Sequence, residues 1–567
     1  TAATAATIGV DDGAILSLQN SASLTSTNIP VTVQGATGRL LIGGNVDLGT
    51  GVLTSSLNST NASVGGLMFS PAAASSMKSV IAGSGTVITG GAGVVTFEKP
   101  NTYTGHTFAL GQLKILDSAG LGDIASGTTI GNAAGQLILP GGVNTAEGFK
   151  LLSKPTGAAS ISHILNQAGT NTIYGNIGLY ADTGTVLQIQ SDAGLLTLSG
   201  NISVEDTFSP TTVRPLFLRG AGSGLVTGGF SNGVGRTALS KFDAGTWTLA
   251  GASSYYGPTM VNGGELRVSA AHTPTGGSNS TLIVNSGSFA VGSTGDATYF
   301  TVSSPTSDVT VDGVLRISPS AVTDFSTAQR FTGTGTVNVT NGTVNSAQGA
   351  RVGTLSLAGG AVMNIATNGG ATGVTKVDSL AIDATSKLEL MDNDLVVDYG
   401  LGTTVYAAVL ANVKRGLPLL GFGGDGTGIT SAEVIAQGAG GIGLNGTMLA
   451  VIDGATTGGQ VTSLSGFAVP NPTTSVLVKY TWRGDANLDG VVNGSDYALA
   501  DTGFSGGGTG WFYGDVNYDG TVNGSDYALI DTGFSSQTGP LPEPSMLGVL
   551  GLGAIGMLRR RRAVSRG

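Results

Sequence analysis

From the start of the chain to about residue 480, apolar side chains fall at every second position in short runs, with Thr, Ser or a charged residue between them and a Gly- or Asn-bearing turn around them. Leu16 and Leu18, Leu113 and Ile115, Trp247 and Leu249, and Leu266 and Val268 follow this rule; so do Leu315 and Ile317, Val337 and Val339, Leu355 and Leu357, and Leu388 and Leu390. A period of two is that of a strand with one buried face. Runs of 3.6 periodicity long enough for a helix are scarce. The pattern therefore predicts many short strands, which build sandwiches, barrels or solenoids alike.

Internal repetition narrows the choice. Val95, Phe97, Tyr103 and Gly105 in VVTFEKPNTYTG align with Trp247, Leu249, Tyr255 and Gly257 in TWTLAGASSYYG at a constant offset of 152 residues. A further strand follows each, GQLKIL in one case and GELRV in the other. A unit of strand, tight turn and strand cannot bury its own apolar face and must stack on neighbours. At roughly 20 to 25 residues per coil and about 4.8 Å between strands, stacking would give a rod on the order of 100 Å long. The two segments, residues 93–116 and 245–268, resemble the autotransporter-associated β-strand repeat of large secreted bacterial proteins. SKLELMDNDLVVDYG, residues 386–400, with GTGITSAEV after it, resembles the closing region of the same kind of protein. The resemblance implies an all-β fold, a right-handed parallel β-solenoid (β-helix), over residues 1–480.

Composition agrees with a core of small and β-branched side chains. Gly numbers 95 of 567 residues and only 11% of the chain is charged, which is unlike a helical enzyme, while 40% apolar residues argue against disorder. With no Cys there is no disulfide framework, thiol nucleophile or Cys-ligated zinc. A formal charge of −10 disfavours nucleic acid as a partner. The chain opens at Thr1 without Met, which raises the expectation of a fragment or processed form whose export signal is outside the sequence.

Near the end the pattern changes. GDANLDGVVNGSDYALADTGF, residues 484–504, returns thirty residues later as GDVNYDGTVNGSDYALIDTGF. Counted from Asp485, oxygen-bearing side chains occupy position 1, then 3 (Asn487), 5 (Asp489), 9 (Asn493) and 12 (Asp496), with Gly490 at 6 and the Val491 carbonyl at 7. The second copy supplies Asp515, Asn517, Asp519, Asn523 and Asp526, with Gly520 and Thr521 at positions 6 and 7. This is the ligand spacing of a twelve-residue calcium loop, in which six to eight oxygens converge on a hard cation. Three carboxylates per loop repel one another without an ion, and no Lys or Arg lies between Asp485 and Leu541. Two Ca2+ ions are expected.

Asp rather than Glu at position 12, and the strand-like TSVLVKYTW where an incoming helix would be, make residues 484–535 resemble a type I dockerin. That resemblance implies short helices N-capped by Ser495 and Ser525 and ending before Gly503 and Gly533. It also implies a cohesin-like partner at Gly494, Ser495, Leu499, Gly524, Ser525 and Leu529. The hydroxyl pairs and bases usual at that surface are missing, so intramolecular docking as a calcium-clamped cap stands beside cohesin binding. Calcium removal is expected to unfold residues 484–534 and leave the solenoid largely intact.

The last segment, 541–563, joins Pro542, Glu543 and Pro544 to an apolar run of 13 residues, Met546 to Leu558, and then to Arg559, Arg560, Arg561 and Arg562. The run would span about 20 Å as a helix, short of a bilayer core of about 30 Å, and the Arg cluster favours cytoplasmic retention. The three parts resemble the PEP-CTERM sorting signal, a hydrophobic sorting helix that holds its protein in the membrane until an exosortase processes it. The whole arrangement is similar to that of planctomycete-like surface proteins. It implies a secreted, cell-surface protein of a Gram-negative bacterium, in contact with exopolysaccharide or neighbouring cells.

No catalytic residues are assigned. His106, His163 and His272 have no i,i+4 partner or evident nucleophile and are expected at turns or on the surface. Tyr255 and Tyr256 are expected to be exposed sugar-stacking faces or turn packing. Arg483, Gly484 and Asp485 spell an adhesion-like tripeptide whose Asp the first loop would use. The expected function is structural or adhesive; the alternative is a polysaccharide lyase or hydrolase carried by its dockerin-like module, which needs an acid and base pair converging in a groove.

Overall fold

The computed structural model describes residues 8–537, apart from 12–13, 20–21, 26–30, 35–37, 57–65, 156–160, 181–185, 206–210, 212, 269, 271–281, 292–308, 312–313, 318–323, 328–329, 418–423 and 438–445. Two compact units divide the chain, Thr1–Ala290 and Val291–Gly567.

The first unit is a parallel β-solenoid. One of its coils passes through Phe149–Leu152, Ile164–Asn166 and Thr170–Ile173. It then returns as Ile177–Tyr180 beside the starting strand, with Phe149 paired to Ile177. The register advances by 20 residues from Leu67 to Val87 and again to Thr107, but by 28 from Phe149 to Ile177. Both lengths serve one ladder because the paired strands stay in step while the segments between them differ in length. Alternation holds strand by strand. Leu113, Ile115, Trp247 and Leu249 are buried, while Lys114 and Thr248 between them are half-exposed. Leu16 and Leu18 depart from it and are only half-buried.

The 152-residue repeat has a physical basis in the corners. Tyr103 and Tyr255 are both fully buried, and each hydroxyl bonds the Thr four residues on, Thr107 at 2.6 Å and Thr259. Tyr255 is thus a corner post, not an exposed platform. Tyr256 lies under the Arg236 guanidinium, 3.9 Å from its ring centre. His163, expected at a turn or surface, is instead fully buried. Its Nε2 donates to Leu152 O at 2.8 Å and its Nδ1 accepts from Gln188 N at 3.2 Å. Burial pushes its pKa down to about 3, so the ring is neutral. His106 is half-buried in a corner, and His272 lies outside the described residues.

The second unit continues in parallel ladders, such as Val314–Ile317, Thr336–Val339, Arg351–Leu357 and Thr375–Ile382. Between Lys387 and its partner Gly428 the coil is opened by the helix Tyr406–Gly416. The parallel order then stops: Leu395–Asp398 pairs antiparallel with Ser475–Trp482, which pairs antiparallel with Thr447–Asp453. A parallel strand edge would invite further strands; the antiparallel pair turns the sheet back. Among the described residues no helix is long and apolar enough to cross a membrane.

Candidate metal centre

The strand Ser475–Trp482 runs directly into Arg483, Gly484 and Asp485, so the first loop starts where the terminal sheet ends. Helices Gly494–Phe504 and Gly524–Ser536 follow the two loops. Their N-caps are Asn493 and Asn523, not Ser495 and Ser525. Each Asn side chain accepts from the backbone N–H two residues on, at 2.9 Å. Asp496 and Asp526 reach back to the cap N–H at 2.9 and 3.0 Å, closing a capping box. In each case the capping oxygen stands two residues before the Ser and accepts from that Ser's own backbone N–H.

Gly503 and Gly533 do not stop the helices either; both lie inside them. Their role is close approach. A Cβ on Gly503 would be 2.0 Å from Tyr513 O, and one on Gly533 would be 1.8 Å from Arg483 O. Each helix therefore rests on the residue that leads into the other copy's loop. Tyr497 donates to Asp531 and Tyr527 to Asp501, both at 2.5 Å, repeating the exchange on the outer side. The duplicated segment forms one unit in which each half packs on the other.

Inside the loops the predicted residues are brought together copy by copy. Asp485 is fully buried; its oxygens accept from Asp489 N at 3.0 Å, Gly490 N at 2.9 Å and the Thr481 hydroxyl. Burial pushes its pKa up to about 7, with Asp496 and Asp489 adding to the rise. Burial likewise raises Asp496, Asp515 and Asp526. Asn487 and Asn517 accept from Asp489 N and Asp519 N at 2.9 and 2.7 Å. Asp489 and Asp519 turn to the N–H groups of Val491 and Thr521, at 3.0 and 2.9 Å. Among the described residues no three His, Cys, Asp or Glu side chains gather on one point as a ready cage; backbone donors hold the carboxylates.

The donor set nonetheless fits a hard cation. Asp515 is 4% exposed, and its Oδ1 is buried with no hydrogen-bond partner. An unpaired buried carboxylate oxygen is costly, and an ion bound by position 1 of the second loop would remove that cost. The residues that would hold the two ions are those of the spacing: Asp485, Asn487, Asp489, Val491, Asn493 and Asp496, then Asp515, Asn517, Asp519, Thr521, Asn523 and Asp526.

Tertiary contacts bind this module to the terminal sheet. Tyr518, at positive φ in the second loop, accepts from Val451 N at 2.7 Å and donates to Leu449 O at 3.0 Å, so its hydroxyl meets the backbone of strand Thr447–Asp453. Trp511 Nε1 donates to Asp485 O at 2.7 Å. Lys414, from the helix Tyr406–Gly416, donates to Tyr518 O at 2.7 Å. No Lys or Arg lies between Asp485 and Leu541, and the fold brings this one from a hundred residues away. Arg483 and Asp485 of the adhesion-like tripeptide are buried. Residues 541–563, with Pro542, Glu543, Pro544 and Arg559 to Arg562, lie outside the described residues.

The described strands form a parallel β-solenoid with repeated corners. The passenger-associated-transport repeat family matches residues 239–268, which include Trp247, Leu249 and Tyr255. Over 98 residues, 17% of this chain, the sequence is 33% identical to the BmaC autotransporter adhesin of Brucella suis biovar 1 (strain 1330). The match spans 3% of that relative's length. No solved structure matches the chain.

Proposed function

We propose that this chain is a secreted or cell-surface protein of a Gram-negative bacterium whose solenoid presents a repetitive adhesive or structural surface, and that it has no enzymatic role. The observation that carries the reading is the passenger-type repeat at 239–268, whose Trp247, Leu249 and Tyr255 form the core of solenoid coils. The adhesin named among its relatives is consistent with it. Titratable groups displaced by burial in the first unit support a structural role. Glu147 and Lys154, both brought to about 7 by burial, and His163 are enclosed. Lys154 donates to the carbonyls of Gly135 and Ile161. Groups held in this way tie coils together and do not meet a polymer in a groove.

In the same reading the doubled loop binds two calcium ions and clamps the end of the solenoid by intramolecular docking, with a cohesin-like domain as the other partner it suits. The segment 541–563 is a PEP-CTERM signal, which an exosortase-type enzyme would process at the membrane. The contacts outside the cell follow from that destination: exopolysaccharide and cell surfaces, not nucleic acid. A glycan and cell-adhesion screen on the full chain, with and without millimolar calcium, tests the adhesive reading. Saturable binding to polysaccharide or cells is expected. Absence of all binding, or turnover of any polysaccharide offered, would overturn it.

A further inference from the structure

Sequence makes the two loops near-copies, yet their surroundings differ at three points. At position 1, Asp485 accepts from three donors, whereas Asp515 accepts from Gly520 N at 3.1 Å and leaves Oδ1 without a partner. At position 4, both residues hold positive φ, but Leu488 offers only a side chain to pack while Tyr518 reaches the strand Thr447–Asp453. The third difference is charge. At position 1 the charged groups are equivalent, Asp496 and Asp489 acting on Asp485 and Asp526 and Asp519 acting on Asp515, so the difference lies at position 5, where Lys414 acts on Asp519.

Lys414 reaches that place through helix geometry. Tyr406, Leu410 and Lys414, four residues apart, share one face of the helix Tyr406–Gly416. That face lines a cavity of about 470 Å³ that is also lined by Asp515, Tyr518 and Asp519. Lys414 Nζ is 2.7 Å from Tyr518 O and 5.8 Å from the centre of the Tyr518 ring. Asp519 is held below the usual carboxylate range, first by the Thr521 hydroxyl and N–H and in smaller part by Lys414.

We propose that Lys414 makes the two loops unequal cation sites: its positive charge lowers the affinity of the second loop, which is therefore the one that exchanges its ion more readily. The inference rests on the calcium reading above. Loop affinity follows the charge gathered around the ion, and a like charge a few ångströms from a divalent cation opposes it through a medium partly screened by water. Because Tyr518 belongs to the second loop, exchange there acts on the clamp over strand Thr447–Asp453, while the first loop keeps the helices paired.

Calcium titration of the full chain by calorimetry tests this, with terbium luminescence as a second readout. Trp511 is the built-in sensitiser, bonded to Asp485 O and 5.4 Å from the Tyr518 ring. Two unequal steps are expected. In Lys414→Met and Lys414→Gln the weaker step should tighten by about 3- to 10-fold while the stronger is unchanged. Lys414→Arg, which keeps the charge, should behave as the parent chain. Added salt should narrow the gap between Lys414→Gln and the parent. Two equal steps in the parent, or a weaker step unmoved in both neutral variants, would overturn the role of Lys414 and leave calcium binding standing. No uptake of either ion would remove the calcium reading itself, and this inference with it.

Discussion

The solenoid coils and the doubled loop are both repeats, but they repeat in different ways. A coil such as Phe149–Leu152 to Ile177–Tyr180 meets its copy by translation: residue pairs with equivalent residue, and a further coil can always be added. The two loops meet by exchange. Gly503 rests on Tyr513 and Gly533 on Arg483, Tyr497 bonds Asp531 and Tyr527 bonds Asp501, and the pair is complete at two. Translation makes length, while exchange makes an end. The terminal antiparallel strands and Tyr518 join the two, because the loop's hydroxyl meets N–H and C=O groups on strand Thr447–Asp453.

The comparison can be broken most forcefully by removing the ions. If each loop binds calcium at a thousandfold over its Kd, each ion contributes about 4 kcal/mol. Chelation should then raise amide exchange not only in 484–534 but also in Thr447–Asp453 and the helix Tyr406–Gly416, which Tyr518 and Lys414 bind to the loop. Hydrogen exchange by mass spectrometry reads this directly; protection lost in 484–534 alone would mean that the clamp does not transmit. Truncation of a coil filler comes next. Trp247→Ala should cost about 3–5 kcal/mol, seen as a lower thermal midpoint with protection lost around residues 239–268 and retained in the loops.

Smaller changes sharpen the contrast. Gly533→Ala pushes a methyl into Arg483 O and should destabilise the paired helices by about 1–3 kcal/mol, whereas Gly142→Ala, with no atom near the added carbon, meets no such contact and is limited to its backbone strain at φ 80°. Tyr518→Phe keeps the ring and removes the hydroxyl, leaving two buried strand groups unpaired at about 1–3 kcal/mol; faster exchange at the Val451 amide is the readout. A last test uses pH. His163 has its folded pKa depressed from 6.5 to about 3. Its stabilising contribution is therefore present above pH 6.5 and is lost as pH falls towards 3. Over that window His163→Gln should lose stability less steeply than the parent, by up to ~1.4 kcal/mol per pH unit; equal slopes would mean that the buried ring is not what acid attacks.

Local chemistry was legible in the sequence. Alternating apolar positions fix which side of a strand is buried whatever the strand packs on, so the stacked-strand class and core residues such as Leu113, Trp247 and Leu355 follow from the order of residues alone. The pairing of Tyr103 with Tyr255 and the positions of the loop oxygens were readable for the same reason, since both depend on spacing over a dozen residues. Helix ends were misread by one or two positions because Asn and Ser both cap well and stand two residues apart; the capping box with Asp496 and Asp526 decides for Asn.

What the sequence could not determine is everything set by residues far apart in the chain. Nothing near His163 marks it as buried, because the groups that enclose it come from neighbouring coils of differing length. Nothing near Asp519 announces Lys414, because a charge acts through distance in space, and the helix that brings it is inserted a hundred residues earlier. Gly503 and Gly533 carry no mark that separates a helix stop from a close contact until the opposing carbonyl is in place. Residue order by itself determined the strand period, the core-facing positions and the oxygen donors of the loops. Tertiary structure alone decided where the solenoid stops and how two near-identical loops come to differ, because both depend on which distant backbone and charge are brought within a few ångströms.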